Sequence, residues 1–113
     1  MNILNMIKSN HIIIDLEYEG KIPSVEILMD KAIEETNELT VVDKFHHYFN
    51  PYGLSLVYIL AESHISIHTW EEYNYLSIDM YTCGETSPEN TLNKFLEKIQ
   101  VTKKNIQKIS RGV

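Results

Sequence analysis

The stretch AESHISIHTWEEYNYLSIDMYTCGE, residues 61–85, holds two runs of alternating apolar and polar residues, separated by a turn at 71–74. Successive side chains of a β-strand point to opposite faces of the sheet, so each run predicts a strand with one apolar and one polar face. The apolar face carries Ile65, Ile67, Leu76, Ile78 and Met80. The polar face carries His64, Ser66, His68, Tyr75, Ser77, Asp79, Tyr81 and Cys83. Faces that are only solvated usually carry Lys, Glu and Thr, so this polar face indicates a site or an interface.

The elements around this strand pair follow from the same kinds of pattern. Short apolar and β-branched runs predict further strands over residues 11–18, 39–49, 54–61 and 105–110, with a turn at 50–53. An apolar stripe with helical spacing predicts a helix that Ser24 caps and that ends near Asn37. Ser87 as a cap and Pro88 at the first helical position predict a second helix, which reaches Ile99. The order β-α-β-β-β-β-α-β predicts an α+β two-layer sandwich, a mostly antiparallel sheet with both helices on one face.

Length and charge limit the classes of protein that this chain can represent. Its 113 residues suffice for a single domain, residues 1–113, with one core. A formal net charge of -6 opposes binding to nucleic acid and to anionic membranes, and it mildly favours a cationic small molecule. Residues 1–10 lack the pattern of a signal peptide, and no run reaches the ~20 apolar residues of a membrane span. We therefore expect a cytoplasmic protein that does not associate with membranes.

Three interpretations of the polar face compete on the residues alone. His64 and His68 are four residues apart, a separation of about 13 Å on a strand, so we expect no metal site between them. Cys83, the only cysteine, could form a nucleophilic Cys-His pair, although a lone cysteine is more often a packing residue. The third interpretation is a subunit contact lined by hydrogen-bonded polar groups.

A longer motif runs through this strand pair. It reads Glu-Ser-His-x-Ser-x-His-Thr-Trp from Glu62 to Trp70, with Cys-Gly following twenty residues after Ser63. This motif resembles the self-processing segment of the short, prokaryotic-type S-adenosylmethionine decarboxylases, a pyruvoyl-dependent family. Comparable stretches of that family match FHHYFNPYGLS (45–55), HIIIDL (11–16) and the closing SRG (110–112). The resemblance thus covers nearly the whole chain.

The resemblance implies that the chain cleaves itself at Glu62-Ser63. Ser63 would attack the carbonyl group of Glu62, and β-elimination would open the resulting ester. The products would be a beta chain of residues 1–62 and an alpha chain of residues 63–113. The alpha chain would begin with a pyruvoyl group derived from Ser63, so the protein would make its own cofactor.

The resemblance also assigns roles to three further residues. His68 would be the base that removes the Cα proton of Ser63 during elimination, and Ser55 would support the processing intermediate by hydrogen bonding. In turnover, the pyruvoyl ketone would form a Schiff base with the substrate amine and take up the electron pair released with carbon dioxide. Cys83 would then donate a proton to the substrate Cα, which favours a chemical role over packing for this thiol.

Three residues are implied to bind the substrate. Phe49 matches an aromatic residue that stacks on adenine, and Glu72 matches a carboxylate that holds the ribose hydroxyls. Trp70 is a third candidate, although a lone tryptophan at a strand end is more often a core residue. No role is predicted for the other four histidines, which are His11, His46, His47 and His64.

The spacing of Ser63 and His68 raises a geometric problem for one copy of the chain. Five residues on a strand span about 16 Å and put the two side chains on opposite faces, unless the chain bends sharply after Ser63. A symmetric homodimer solves this problem and agrees with the family's architecture. In such a dimer, one protomer supplies Ser63 and Cys83, and its partner supplies Phe49, Ser55, His68 and Glu72.

Three departures from the family pattern bear on the substrate. Glu71 stands where proline is usual, Leu56 where glycine commonly follows the serine, and Asn74 where glycine is frequent in the turn. We expect Leu56 to add bulk beside Ser55, and Glu71 to alter ribose recognition or to favour a more cationic substrate. S-adenosylmethionine, as a precursor for spermidine synthesis, is the expected substrate. The alternatives are an arginine or ornithine decarboxylase on the same scaffold, and a catalytically silent homologue that regulates an active partner.

Overall fold

The computed structural model describes residues 8–113, which form six strands, two α-helices and one 3₁₀ turn. The strands are β1 (Ser9–Glu19), β2 (Val41–Tyr48), β3 (Leu54–Leu60), β4 (Ser63–Trp70), β5 (Tyr75–Cys83) and β6 (Gln100–Arg111). The helices are α1 (Val25–Thr36) and α2 (Glu89–Leu96), and the 3₁₀ turn is Glu71–Tyr73. This order is the predicted one. The prediction about a signal peptide falls mostly on residues 1–7, outside the described residues.

The strands form a single sheet in the order β2-β3-β4-β5-β1-β6, and every neighbouring pair is antiparallel. Tight connections join β2 to β5 as consecutive hairpins, whereas β1 lies between β5 and β6. The two strands of the motif, β4 and β5, therefore occupy the middle of the sheet. Side chains on their surfaces are flanked by neighbours on both sides.

The core lies between one face of the sheet and the two helices. Alternate residues of β4 and β5 are buried, including Ile65, Ile67 and Met80 at 0% exposure. They share one apolar cluster with Met29 of α1 and Phe95 of α2. This confirms the α+β class and the division of both strands into an apolar and a polar face. We call the face opposite the helices the outer face.

The helix and strand ends differ from prediction mainly near the carboxyl end of the chain. The last strand begins at Gln100, five residues before the predicted start, because β6 is an exposed edge strand without apolar alternation there. Helix α2 begins at Glu89, whose N–H donates to the Ser87 hydroxyl at 3.3 Å, and Pro88 precedes the helix. The first helix ends as predicted, with Asn37 in the left-handed conformation at φ 52°.

Candidate active site

The predicted cleavage segment lies in the short turn between β3 and β4. Leu60 pairs with Ser63, so Ala61 and Glu62 form the tip of the hairpin. The carbonyl oxygen of Glu62 accepts a hydrogen bond of 3.0 Å from the N–H group of Cys83, at the end of β5. The structure thus brings together three of the predicted residues: Glu62, Ser63 and Cys83.

Ser63 has a backbone conformation that is unusual for a residue with a side chain. Its φ angle is 153°, a value that outside glycine persists only where the surroundings impose it. Here Ser63 is paired on both sides, to Leu60 in β3 and to Thr82 in β5. Such conformations cost on the order of 1–3 kcal/mol each and occur preferentially at functional sites. The peptide segment 62–63 is therefore held in a strained state.

A second group of predicted residues lies at the other end of β4. Ser55 pairs with His68 across β3 and β4, and the Ser55 hydroxyl lies 2.9 Å from Nδ1 of His68. His68 is exposed on the outer face, and this hydrogen bond orients its ring. An imidazole that is held through one ring nitrogen and exposed on the outer face is suited to proton transfer.

Exposed aromatic rings surround this second group. Phe49 is 52% exposed and packs edge-on against His47, with ring centroids 4.5 Å apart. Trp70 is 42% exposed and packs against Tyr75, at 5.3 Å between centroids. The expectation that Trp70 is a core residue is wrong, because its side chain lies on the outer face at the end of β4. Glu72 is exposed on the 3₁₀ turn that follows.

The two groups are separated within one copy of the chain. Ser63 opens β4 and His68 lies five residues further along the same strand, a distance of about 16 Å. The unusual backbone angle falls on Ser63 itself, before the extended part of the strand, so it does not shorten this separation. One chain therefore carries two incomplete sets of the predicted residues, one at each end of β4.

A scan against protein-family models matches residues 10–112 to the S-adenosylmethionine decarboxylase family. The chain belongs to this family. The match spans both groups of predicted residues and both helices, and it confirms the family expected from the motif at 62–84. Because the family consists of carboxy-lyases, the predicted enzyme class is confirmed as well.

Individual relatives agree with this assignment. An S-adenosylmethionine decarboxylase proenzyme of Thermodesulfovibrio yellowstonii is 35% identical over 109 residues, covering 91% of this chain and 80% of the relative. A proenzyme of the same name from Archaeoglobus fulgidus is 39% identical over 101 residues, covering 84% and 89%. The crystal structure of the adenosylmethionine decarboxylase from Aquifex aeolicus superposes with a TM-score of 0.82 at 29% identity, covering 93% of this chain and 91% of that one.

The structure accounts for two of the three departures from the family pattern. Leu56 is fully buried in the core, on the face opposite Ser55, so it does not add bulk beside that serine as expected. Asn74 has φ 50°, a left-handed conformation that asparagine tolerates better than most residues other than glycine. Glu71 is exposed and starts the 3₁₀ turn, where its carboxylate lies 3.5 Å from the Thr69 hydroxyl.

Three outer-face contacts involve residues to which the sequence assigned no role. Asp79 contacts Nε2 of His11, and its other oxygen lies 3.5 Å from Nε2 of His64. Ser77 donates a short hydrogen bond to Asp15. The alternation of His11, Asp15 and Glu17 with apolar residues in the sequence of β1 is the signal that places His11 and Asp15 on one face.

The described part of the chain shows neither a metal-binding cluster nor a membrane-spanning helix. Within residues 8–113, no group of three or more His, Cys, Asp or Glu side chains is placed to hold a metal ion. Neither helix in this part of the chain has the length and apolar character needed to cross a bilayer.

Proposed function

We propose that this protein is a proenzyme that cleaves itself between Glu62 and Ser63 and then decarboxylates S-adenosylmethionine. The observation that carries this proposal is the environment of one peptide bond. Its carbonyl oxygen accepts a hydrogen bond from the Cys83 N–H group, and the next residue, Ser63, has a strained backbone and a hydroxyl group. The names of the relatives, proenzymes of S-adenosylmethionine decarboxylase, support both the cleavage and the substrate.

The cleavage begins as an acyl shift from nitrogen to oxygen. The Ser63 hydroxyl oxygen bonds to the Glu62 carbonyl carbon, and negative charge develops on the carbonyl oxygen. The Cys83 N–H group stabilises this charge as an oxyanion-hole donor would. The hydroxyl proton passes to the nitrogen, the carbon–nitrogen bond breaks to leave a free amine on Ser63, and an ester joins Glu62 to the Ser63 oxygen. Relief of the strained angle at Ser63 favours this step.

Elimination completes the cleavage. A base removes the Cα proton of Ser63, the ester carbon–oxygen bond to Cβ breaks, and the Glu62 carboxylate leaves as the new end of residues 1–62. The remaining enamine tautomerises to an imine, takes up water and loses ammonia, which leaves a pyruvoyl group at the start of residues 63–113. His68, hydrogen-bonded to Ser55, is the base in this proposal.

The pyruvoyl group supplies an electron sink for the loss of carbon dioxide from an amino acid. The residues around Ser63 suit such a group, because Cys83 lies beside it at the end of the neighbouring strand and is only partly buried. The Cys83 thiol donates the proton that replaces carbon dioxide on the substrate. The product is decarboxylated S-adenosylmethionine, the aminopropyl donor for spermidine synthesis.

Substrate binding uses the exposed end of β4. The Phe49 ring stacks on adenine, Glu72 accepts hydrogen bonds from the ribose, and Trp70 forms part of the wall. Exposed aromatic rings suit a substrate with a planar base, because adenine offers a larger stacking surface than the guanidinium group of arginine, and ornithine offers none.

The complete site forms between two copies of the chain. Because Ser63 and His68 lie about 16 Å apart on β4, each site combines Ser63 and Cys83 of one protomer with Ser55, His68 and the binding residues of its partner. The outer face is suited to this contact, since it has no helix layer and carries half-exposed apolar side chains such as Phe45 and Ile59. A symmetric homodimer would hold two such sites.

Two measurements on the purified protein test this function. Intact-mass analysis should find two chains divided between Glu62 and Ser63, the second carrying a carbonyl group that borohydride reduces. The cleaved protein should release labelled carbon dioxide from carboxyl-labelled S-adenosylmethionine, and not from labelled arginine or ornithine. A persistent full-length chain would instead support the silent homologue, and release from arginine or ornithine would support that alternative substrate.

A further inference from the structure

His11, Asp79 and His64 form a bridge across three neighbouring strands of the outer face. Asp79, on β5, contacts Nε2 of His11 on β1 with one carboxylate oxygen. Its other oxygen lies 3.5 Å from Nε2 of His64 on β4. The side chains are 16% exposed for His11 and 38% exposed for Asp79 and His64. A single carboxylate thus faces two imidazoles, each of which can donate a hydrogen bond to it.

Tyr81 braces this bridge. Its ring lies 5.3 Å from the His11 ring in an edge-on arrangement and 5.7 Å from the His64 ring. Its hydroxyl accepts a hydrogen bond of 2.8 Å from Ser9, and the Arg111 guanidinium group lies over its ring at 5.2 Å. Contacts from β1 and β6 therefore limit the movement of the two imidazoles.

The bridge lies next to the proposed cleavage point, and it joins the two chains that cleavage would produce. His64 follows Ser63 directly, so the amide that joins these two residues becomes the amide of the new terminus. Asp79 and His64 belong to residues 63–113, whereas His11 belongs to residues 1–62. New chain ends fray unless other contacts hold them. Through His11, the chain of residues 1–62 would hold the new terminus of the chain of residues 63–113.

The bridge also directs the His64 ring away from Cys83. His64 pairs with Tyr81, while Asp79 is two residues further from Cys83 along β5. By reaching Asp79, the imidazole leans towards the middle of the sheet. The contact with Asp79 thus holds the His64 ring away from the region between residue 63 and the Cys83 thiol, where a substrate would react.

We propose that Asp79 is a positioning residue for the proposed decarboxylation: through His64 it fixes the orientation of the terminal ketone, with His11 holding the carboxylate from the other chain. This inference rests on the proposed function. It concerns the cleaved enzyme only, because the proposed cleavage uses the Cys83 N–H group, the Ser63 hydroxyl and His68, none of which belongs to the bridge. Misplacement of a reacting group by about 1 Å can lower a rate 10²-fold.

The test compares the cleaved wild-type protein with the variants Asp79→Asn and His11→Gln. Both should cleave as the wild type does. We expect kcat on S-adenosylmethionine to fall about 10- to 100-fold with little change in KM, because orientation and not binding is lost. Hydrogen exchange of the backbone amides of residues 64–66 should accelerate. The double variant should be no slower than the slower single one, since both substitutions break the same bridge.

Asp43→Asn provides a matched control. Asp43 is an exposed carboxylate in β2, on the row of residues that includes Ile59 and His64, and it does not contact the bridge. This variant should keep the wild-type kcat and exchange rates. Unchanged kcat in both bridge variants, or fully additive losses in the double variant, would overturn the proposal. So would failure of Asp79→Asn to cleave while the wild type cleaves. A wild type that stays whole would refute the proposed function instead.

Discussion

On the helix side of the sheet, the polar groups beside α1 are paired with one another, whereas the predicted site residues stand in two separate groups at the ends of β4. Glu26 of α1 accepts hydrogen bonds from Tyr48 at 2.8 Å and from His46 at 2.9 Å, and it forms an ion pair of 2.8 Å with Lys44. Lys44 also pairs with Asp30 at 3.0 Å. Lys44 thus links two carboxylates of α1 to β2, so the cluster joins the helix to the edge of the sheet.

The two groups of predicted site residues differ from this cluster because each of them is incomplete. Ser63 and Cys83 lie at one end of β4, and Ser55 and His68 lie at the other. Each group has some of the residues that the chemistry requires and lacks the rest. The comparison indicates that the helix-side cluster stabilises the fold, whereas the proposed reaction uses the two groups at the ends of β4. Substitutions on the two faces should therefore have different consequences.

The largest effect is expected from Ser63→Ala. Without the hydroxyl there is no acyl shift and no pyruvoyl group, so the chain should remain whole and have no decarboxylase activity. The free energy of unfolding should change little, because Ser63 is only partly buried. Intact-mass analysis and denaturant unfolding measure these two outcomes. Ser66→Ala, three residues further along the same strand, is the control and should cleave. Normal activity in Ser63→Ala would contradict the mechanism.

Cys83→Ala separates cleavage from turnover. The substitution removes the thiol and keeps the backbone N–H group that contacts the Glu62 carbonyl, so cleavage should proceed. Loss of a proton donor should lower kcat by about 10²- to 10⁴-fold. The measurement is release of labelled carbon dioxide by the cleaved variant. An uncleaved variant would show that the side chain takes part in processing, and an undiminished kcat would assign proton donation to another group.

The sequence predicted most of the fold because the relevant patterns are local. Alternation in β4 and β5 placed Ile65 and His68 on the correct faces, and Ser24 was correctly identified as a helix cap, accepting from the Ile27 N–H group at 3.2 Å. The start of β6 at Gln100 was missed because an edge strand needs no apolar alternation. Its pairing with β1 depends on residues about ninety positions away, which no local pattern describes.

The site was predicted less completely than the fold. The family resemblance, and not spacing, identified Ser63, Cys83, Ser55 and His68. Their grouping at the two ends of β4 depends on the register of β3, β4 and β5. The contact between His11 and Asp79 joins residues 68 positions apart. It becomes visible only when β1 is known to lie beside β5.

Mixing two inactive variants tests whether Ser63 of one protomer and His68 of its partner form one site across a dimer. Ser63→Ala lacks the serine and His68→Ala lacks the base, so neither should cleave alone. When the two are produced together, heterodimers contain one site with both residues. Random pairing makes half of the dimers mixed, so roughly a quarter of the wild-type number of sites should form. Mass analysis should find cleaved chains only of the His68→Ala type. No cleavage in the mixture would refute the shared site.

The smallest effect, and one confined to stability, is expected from Glu26→Gln on the helix side. Burial tends to raise the pKa of Glu26, but hydrogen bonds from Lys44 and Tyr48 and the nearby positive charges outweigh it, so its pKa lies below the ordinary 4.5. A carboxylate with a lowered pKa stabilises the fold above its unfolded pKa, and this contribution is lost as pH falls through the folded value. The variant should lose about 1–3 kcal/mol of unfolding free energy at neutral pH, because Lys44 and Tyr48 lose a charged acceptor. The difference from wild type should shrink below about pH 5.

Urea unfolding across this pH range measures the difference in unfolding free energy. Glu34→Gln, at an exposed position on the same helix, is the control. Cleavage should proceed in both variants, since neither residue faces the outer surface of the sheet. A Glu26→Gln chain that is fully stable but does not cleave would mean that the two faces are coupled, which their separate contacts give no reason to expect.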